Sequence, residues 1–160
     1  MGTEGRRIRT YADTSVFGGV FDEEFSEASR AFFSQVCRAR FRLVTSALVR
    51  EEVEPAPVRV RQFFGRCLPV ADVVEVTEQA IRLQRAYVQA GIVESQWAAD
   101  ALHVALATVG GCSLIVSWNF AHIVHFDKVR LYNAVNVLNG FARLAIHSPQ
   151  EVIAYEDQDS

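Results

Sequence analysis

Asp13, Glu52, Asp100 and Asn119 are the polar side chains of this sequence that stand near the ends of expected strands or at the head of a buried helix, where chemistry could be done. Asp100 is the sharpest of them. It stands ahead of a run, Ala101 to Phe126, that contains no Asp, Glu, Lys or Arg. The helix expected over DALHVALATV is apolar on nearly every side, and that draws the carboxylate at its head toward the interior. An unpaired buried charge costs several kcal/mol. Backbone N–H groups and the helix dipole offset part of this, since an acid is favoured in a first turn, and a bound divalent cation could supply the rest. Asp13 closes the expected strand IRTYA (8–12). Glu52 lies about one and a half turns into the helix SALVREEVE, with Glu51 pointing about 100° away around it. Asn119 follows the apolar segment SLIVS. Singly, each of these has an ordinary reading: a turn residue, a solvated helix face, a loop polar group.

The elements that must position these groups are legible as alternating strands and helices. FRLVT (41–45) reads as a second strand, with TSVFGG as a turn after the first. Phe25, Ala28, Phe32 and Val36 recur at helical spacing over 24–39. A short helix follows Pro57 through VRVRQFF, and TEQAIRLQRAYVQA reads as a helix ended by Gly91. Ser95 is placed to cap the helix that carries Asp100, whose buried stripe includes Trp97. VRLYNAVNVLNGF is a further helix closed near Gly140, LAI a last strand, and SPQE (148–151) a capping box with proline at the first helical position. This alternation implies an α/β fold with a mostly parallel sheet covered on both faces. Ligands of such sheets bind beyond the carboxyl ends of the strands.

At 160 residues and 50% apolar composition, the chain is expected to form one domain, 1–160, with a core of its own and with 1–6 and 156–160 as flexible ends. Cys37, Cys67 and Cys112 have no metal-ligand spacing and read as small core residues kept reduced, which places the protein in a cytoplasm. No apolar segment follows the charged GTEGRRIRT, so no signal peptide is expected. Gly110 and Gly111 interrupt the uncharged run, which argues against a membrane span. A net charge of −3 argues against a generic polyanion binder. Its distribution is uneven: eight arginines between Arg30 and Arg66 face only Glu51, Glu52 and Glu54, a local excess of five. Arginine suits forked phosphate contacts. His122 and His125 have HxxH spacing without a third ligand, and His103 reads as a core histidine. Phosphate-binding loops, dinucleotide turns and nucleophile elbows are absent.

Taken in order, YADTSVF, TSALVREEVE, ADALHVALATVGGC and LIVSWNFAHI resemble the PIN-domain family. VLNGFARLAIHSPQEVI is similar to the end of its stand-alone bacterial and archaeal members, the group that includes VapC-type toxins. The resemblance spans nearly the whole chain and implies a three-layer α/β/α fold. It also implies a carboxylate cluster that holds Mg²⁺ or Mn²⁺ and cuts RNA. Matched residue by residue, Asp13, Glu52 and Asp100 take the three acidic positions, Glu52 rather than Glu51 because an apolar Val53 follows it. Asn119 stands where the fourth acid usually is and would offer the metal a neutral oxygen. Thr14 and Ser15 match hydroxyls that orient an acid or a water, and Arg50, close to Glu52, is expected to contact substrate along with them. An antitoxin protein and a homodimer are the partners implied. The resemblance favours a ribonuclease that is the toxin of a toxin–antitoxin pair; a PIN-fold binding module without useful catalysis and a housekeeping RNA-processing nuclease are the alternatives.

Overall fold

The computed structural model describes residues 6–155. The ends expected to be flexible therefore lie, apart from Arg6, outside the described residues. In chain order the elements are β1 (Ile8–Ala12), α1 (Thr14–Gly19), α2 (Ser26–Cys37), β2 (Phe41–Ser46), α3 (Ala47–Val53), α4 (Val58–Cys67), β3 (Asp72–Val74), α5 (Glu78–Gln89), α6 (Ala98–Val109), β4 (Leu114–Val116), α7 (Phe126–Leu138), β5 (Ala145–His147) and α8 (Pro149–Val152). The five strands form one parallel sheet in the order β3-β2-β1-β4-β5. The chain winds outward from β1 in one direction, then crosses to β4 on its other side. This makes the crevice between the ends of β1 and β4 the topological switch point, where open α/β sheets bind ligands.

The pleat explains why helices are needed on both faces. Phe41 packs against Phe32 of α2, with ring centroids 5.0 Å apart, whereas Tyr11, of opposite parity in the β1–β2 register, meets His103 of α6. One group of helices is built on α1, α2 and α4, with α8 against α2, and the other on α5, α6 and α7. Tyr11, Ala12, Leu43, Val44, Ile115 and Val116 are fully buried between them. At the opposite edge from the crevice, Asp72 of β3 accepts from Arg9 at 2.6 Å and Arg42 at 2.5 Å, which ties three strands together. The Arg42 and Arg9 guanidiniums hold the Asp72 carboxyl below the usual carboxylate range.

Several expectations are corrected. TSVFGG is a helix and not a turn, because the Asp13 side chain accepts the Ser15 N–H at its start and Val16 and Phe17 are buried. Gly19 is required there by close approach: a Cβ would lie 2.6 Å from Ser29 Oγ and 2.9 Å from Trp118 Nε1. Strand β3 was not anticipated. Ser95 does not cap α6, for a 3₁₀ turn over Ser95–Trp97 intervenes and no side chain caps the helix. That turn rotates Trp97 out of the buried stripe, leaving it 43% exposed. The expected capping box at Ser148 and Glu151 is present, and Gly91 ends α5 at φ 79°. All three cysteines are free thiols; Cys112 is buried and Cys67 partly so, with burial pushing both thiols up to about 12, but Cys37 is exposed and not a core residue. Among the described residues no helix is long and apolar enough to cross a membrane.

Candidate active site

Asp13 and the residues after β4 meet across the switch-point crevice. The Asp13 N–H donates to Val116 O at 3.3 Å, and the side chain, 4% exposed, accepts from Ser117 Oγ at 2.6 Å. Its other oxygen accepts from Ser15 N at 3.1 Å and Ser15 Oγ at 2.6 Å. Burial raises the Asp13 carboxyl above its usual value, a tendency opposed by His103 and by the Ser117 and Ser15 hydroxyls, and reinforced by the neighbouring Glu52 charge. A carboxylate in this setting favours an added positive charge.

Glu52 arrives from the α3 side, half-buried, while Glu51 is solvent-exposed. The helix thus presents to the crevice the glutamate preferred from sequence. Glu52 Oε1 accepts from Thr14 Oγ1 at 2.5 Å and lies 2.9 Å from His103 Nε2. Burial alone would raise this carboxyl; the hydrogen bond and charge of His103, with help from Thr14, outweigh it and hold the group below its usual value. His103 is itself fixed: Nδ1 lies 2.8 Å from the Tyr11 hydroxyl, which lies 2.7 Å from Ser46 Oγ. Ser46 in turn caps α3 through Val49 N at 3.1 Å. A buried chain Ser46–Tyr11–His103–Glu52 therefore links the cap of α3 to the acid that α3 carries. His103 is both a core histidine, as expected, and a member of the site.

Asp100 takes a different partner. Its Oδ2 lies 3.0 Å from His122 Nδ1, and the His122 ring stacks on Trp97 with centroids 4.5 Å apart. Asn119 Oδ1 accepts the His122 N–H at 2.9 Å, so the oxygen expected to face a metal caps the turn that presents His122. His125 is exposed and precedes α7, so the HxxH pair does not act together. Among the described residues, no group of three or more His, Cys, Asp and Glu side chains is arranged to hold a metal ion. The structure thus couples Asp13 and Glu52, and directs the Asp100 carboxylate toward His122.

The donor chemistry still fits a hard divalent cation. Mg²⁺ takes oxygen ligands, retains several waters and is bound by one or two carboxylates plus substrate phosphate. Glu52 Oε2 and Asp100 Oδ1 accept no protein hydrogen bond among the described residues, leaving lone pairs available. Thr14 and Ser15 use their hydroxyls to orient Glu52 and Asp13, and Ser15 Oγ also accepts from Trp118 N at 2.8 Å. These bonds support an acid-orienting role over direct substrate contact. Arg50 is exposed on α3, two positions from Glu52. Elsewhere in the arginine-rich stretch, Arg42 is paired with Asp72 and Arg40 donates to Val152 O, while Arg30 and Arg59 lie over the Phe21 ring and Arg66 over Phe63.

The partners Ser117, Tyr11 and Ser46 were not singled out from sequence. Ser117 had a usable signal, as the first polar residue after the buried strand LIV on the side where ligands bind. Tyr11 and Ser46 had none, because their bonds join residues far apart in the chain.

No protein-family model and no curated protein matches this sequence. Solved structures do. The crystal structure of FitAcB from Neisseria gonorrhoeae superposes at a TM-score of 0.58 with 14% identity, covering 89% of this chain and 99% of that one. The structure of VapBC2 from Rickettsia felis, bound to a DNA fragment from their promoter, superposes at 0.57 with 9% identity, covering 88% and 98%. The PIN-like three-layer α/β/α fold expected from the sequence is borne out.

Proposed function

We propose that this chain is a divalent-metal-dependent ribonuclease and the toxin of a toxin–antitoxin pair. The observation that carries the reading is the meeting of Asp13 and Glu52 at the switch-point crevice of a fold shared with FitAcB and VapBC2. Mg²⁺ or Mn²⁺, held by Asp13 and Glu52 with Asp100 and Asn119 at the rim, would supply an activated water and offset charge on the leaving oxygen of a phosphodiester. The protein's own contribution is orientation. Ser15 and Ser117 fix the Asp13 carboxylate, Thr14 and His103 fix Glu52, and Arg50 attracts the RNA backbone. Phosphates at the crevice would meet the oriented acids, with the exposed Arg50 on the same helix as Glu52 adding positive charge nearby.

Two surfaces support the protein partners. Between α2 and α4 a groove of about 350 Å³ has Val20, Phe21, Phe33 and Phe63 in its lining and Arg30 and Arg66 beside them. This chemistry suits an acidic segment of an antitoxin that also carries apolar side chains. On α7, Phe126, Leu131, Val137 and Leu138 are 79%, 47%, 52% and 84% exposed, a face suited to burial in a homodimer.

The test is cleavage of a panel of RNAs with and without Mg²⁺ or Mn²⁺, using Asp100→Asn as control. Metal-dependent cutting that the substitution suppresses supports the reading; absence of cutting by the wild-type chain with either metal opposes it. A second reading, a PIN-fold binding module without useful catalysis, draws on the engagement of Asn119 Oδ1 by the His122 N–H and of Asp100 by His122. RNA binding without cleavage at any metal concentration is its signature.

A further inference from the structure

We propose that Trp97, stacked on His122 beside Asp100, is a substrate-binding residue whose indole receives one unpaired nucleobase of the RNA, an assignment that rests on the ribonuclease reading above. The two tryptophans of the chain contrast sharply. Trp118 is a core residue, 8% exposed, stacked on Phe25 at 4.2 Å and donating from Nε1 to Ser29 Oγ at 2.9 Å. Trp97 is 43% exposed, and the ring laid nearly parallel to it, at 25°, is the His122 imidazole.

That imidazole is held from two sides. Asp100 Oδ2 holds its Nδ1 at 3.0 Å, and Asn119 Oδ1 holds its backbone N–H at 2.9 Å. Trp97 closes the 3₁₀ turn that leads into α6, and Asp100 lies in the first turn of α6, three positions on. A large aromatic surface is thereby fixed in orientation at the carboxyl edge of the sheet, next to one of the three acids assigned to the chemistry. Leaving an indole 43% exposed to water is unfavourable. An aromatic face held open beside a phosphate-cleaving site suits a base, because every nucleobase has a π-face and only an unpaired one can lie on a side chain. The shelf sets the register of the strand: a base seated on Trp97 delivers an adjacent phosphate to the acids. It also explains why Asp100 is turned toward His122, since the same carboxylate orients the lower ring of the stack.

The experiment measures binding in EDTA, where the RNA stays intact, using a fluorescently labelled single-stranded oligonucleotide and the intrinsic tryptophan emission of the full chain. Wild-type emission should be quenched on binding and Trp97→Ala should lose that quench, the buried Trp118 remaining as an internal emitter. Affinity should fall about 5- to 100-fold in Trp97→Ala and recover to within about threefold of wild type in Trp97→Phe but not Trp97→Leu. An oligonucleotide with one abasic position at the shelf should bind wild type and Trp97→Ala alike. RNA that binds equally to wild type and Trp97→Ala, with emission unchanged, overturns the shelf and leaves the nuclease reading standing. Failure of the wild-type chain to bind RNA at all overturns both. A Trp97→Ala chain that binds RNA normally but changes its oligomeric state assigns the indole to a protein interface instead.

Discussion

Tyr11→Phe removes one oxygen atom from the middle of the buried chain that ends at Glu52. Tyr11 is fully buried, and its hydroxyl joins Ser46 Oγ at 2.7 Å to His103 Nδ1 at 2.8 Å. Ser46 keeps its bond from Val49 N after the change, whereas the 3% exposed His103 loses the partner on its inner nitrogen. Two buried hydrogen bonds contribute about 0.5–1.5 kcal/mol each, and a buried ring nitrogen left unpaired adds to the loss, so the cost should be about 2–3 kcal/mol. In a domain of this length 1 kcal/mol moves the Tm by about 2–4 °C, giving a fall of roughly 4–12 °C. Urea denaturation with an unchanged m-value reads the same quantity as free energy. A double-mutant cycle with His103→Gln should show the two residues coupled, because they share one bond. A Tm within about 1 °C of wild type, or additive effects in the cycle, would refute the buried chain as the support of Glu52.

Without metal, the two coupled acids should shape stability in opposite directions as pH falls. The Asp13 carboxyl is raised in the folded chain, so its ionisation opposes folding at neutral pH and that penalty is relieved as pH drops through the raised value; the Glu52 carboxyl is lowered, so its contribution persists until pH drops below the ordinary glutamate range. Asp13→Asn should abolish the first phase of a Tm-versus-pH curve and leave the second, and an unchanged curve contradicts the burial argument. Arg50→Ala should weaken RNA binding evenly across sequences and reduce the salt slope by about 1; an unaltered slope returns Arg50 to a solvated face. Asn119→Asp retains an oxygen for the His122 N–H and adds a charge at the rim, so titration calorimetry should show tighter Mn²⁺ binding. Unchanged affinity removes Asn119 from the surroundings of the ion.

The strand-end acids were legible because topology alone dictates where a doubly wound sheet binds its ligand. Asp13 and Glu52 follow strands whose apolar runs are plain in the sequence, and of Glu51 and Glu52, about 100° apart around the helix, it is Glu52 that turns inward. Strand β3 was not, since Asp72–Val74 is three residues long with no period to read, and its place depends on Arg9 and Arg42 reaching Asp72 across the sheet. TSVFGG looks like a turn locally because glycine ends helices; a helix forms because Asp13 caps its start and Val16 and Phe17 are buried, while Gly19 lets it approach Ser29 and Trp118 closely. Trp97 carries the spacing of a buried stripe, but a 3₁₀ turn has three residues per turn instead of 3.6 and carries the side chain off that stripe. The direction of Asp100 toward His122 follows from a turn after β4 that is set by Asn119, a tertiary fact with no local signature.

Asp13 and Glu52 are proposed to hold a divalent cation at the switch-point crevice. Crystals of the full chain soaked in Mn²⁺ and measured at the manganese absorption edge test it most directly. One anomalous peak is expected within bonding distance of a carboxylate oxygen of Asp13 and of Glu52, lost in Asp13→Asn crystals. A peak bound only elsewhere, or none at saturating Mn²⁺, would contradict it.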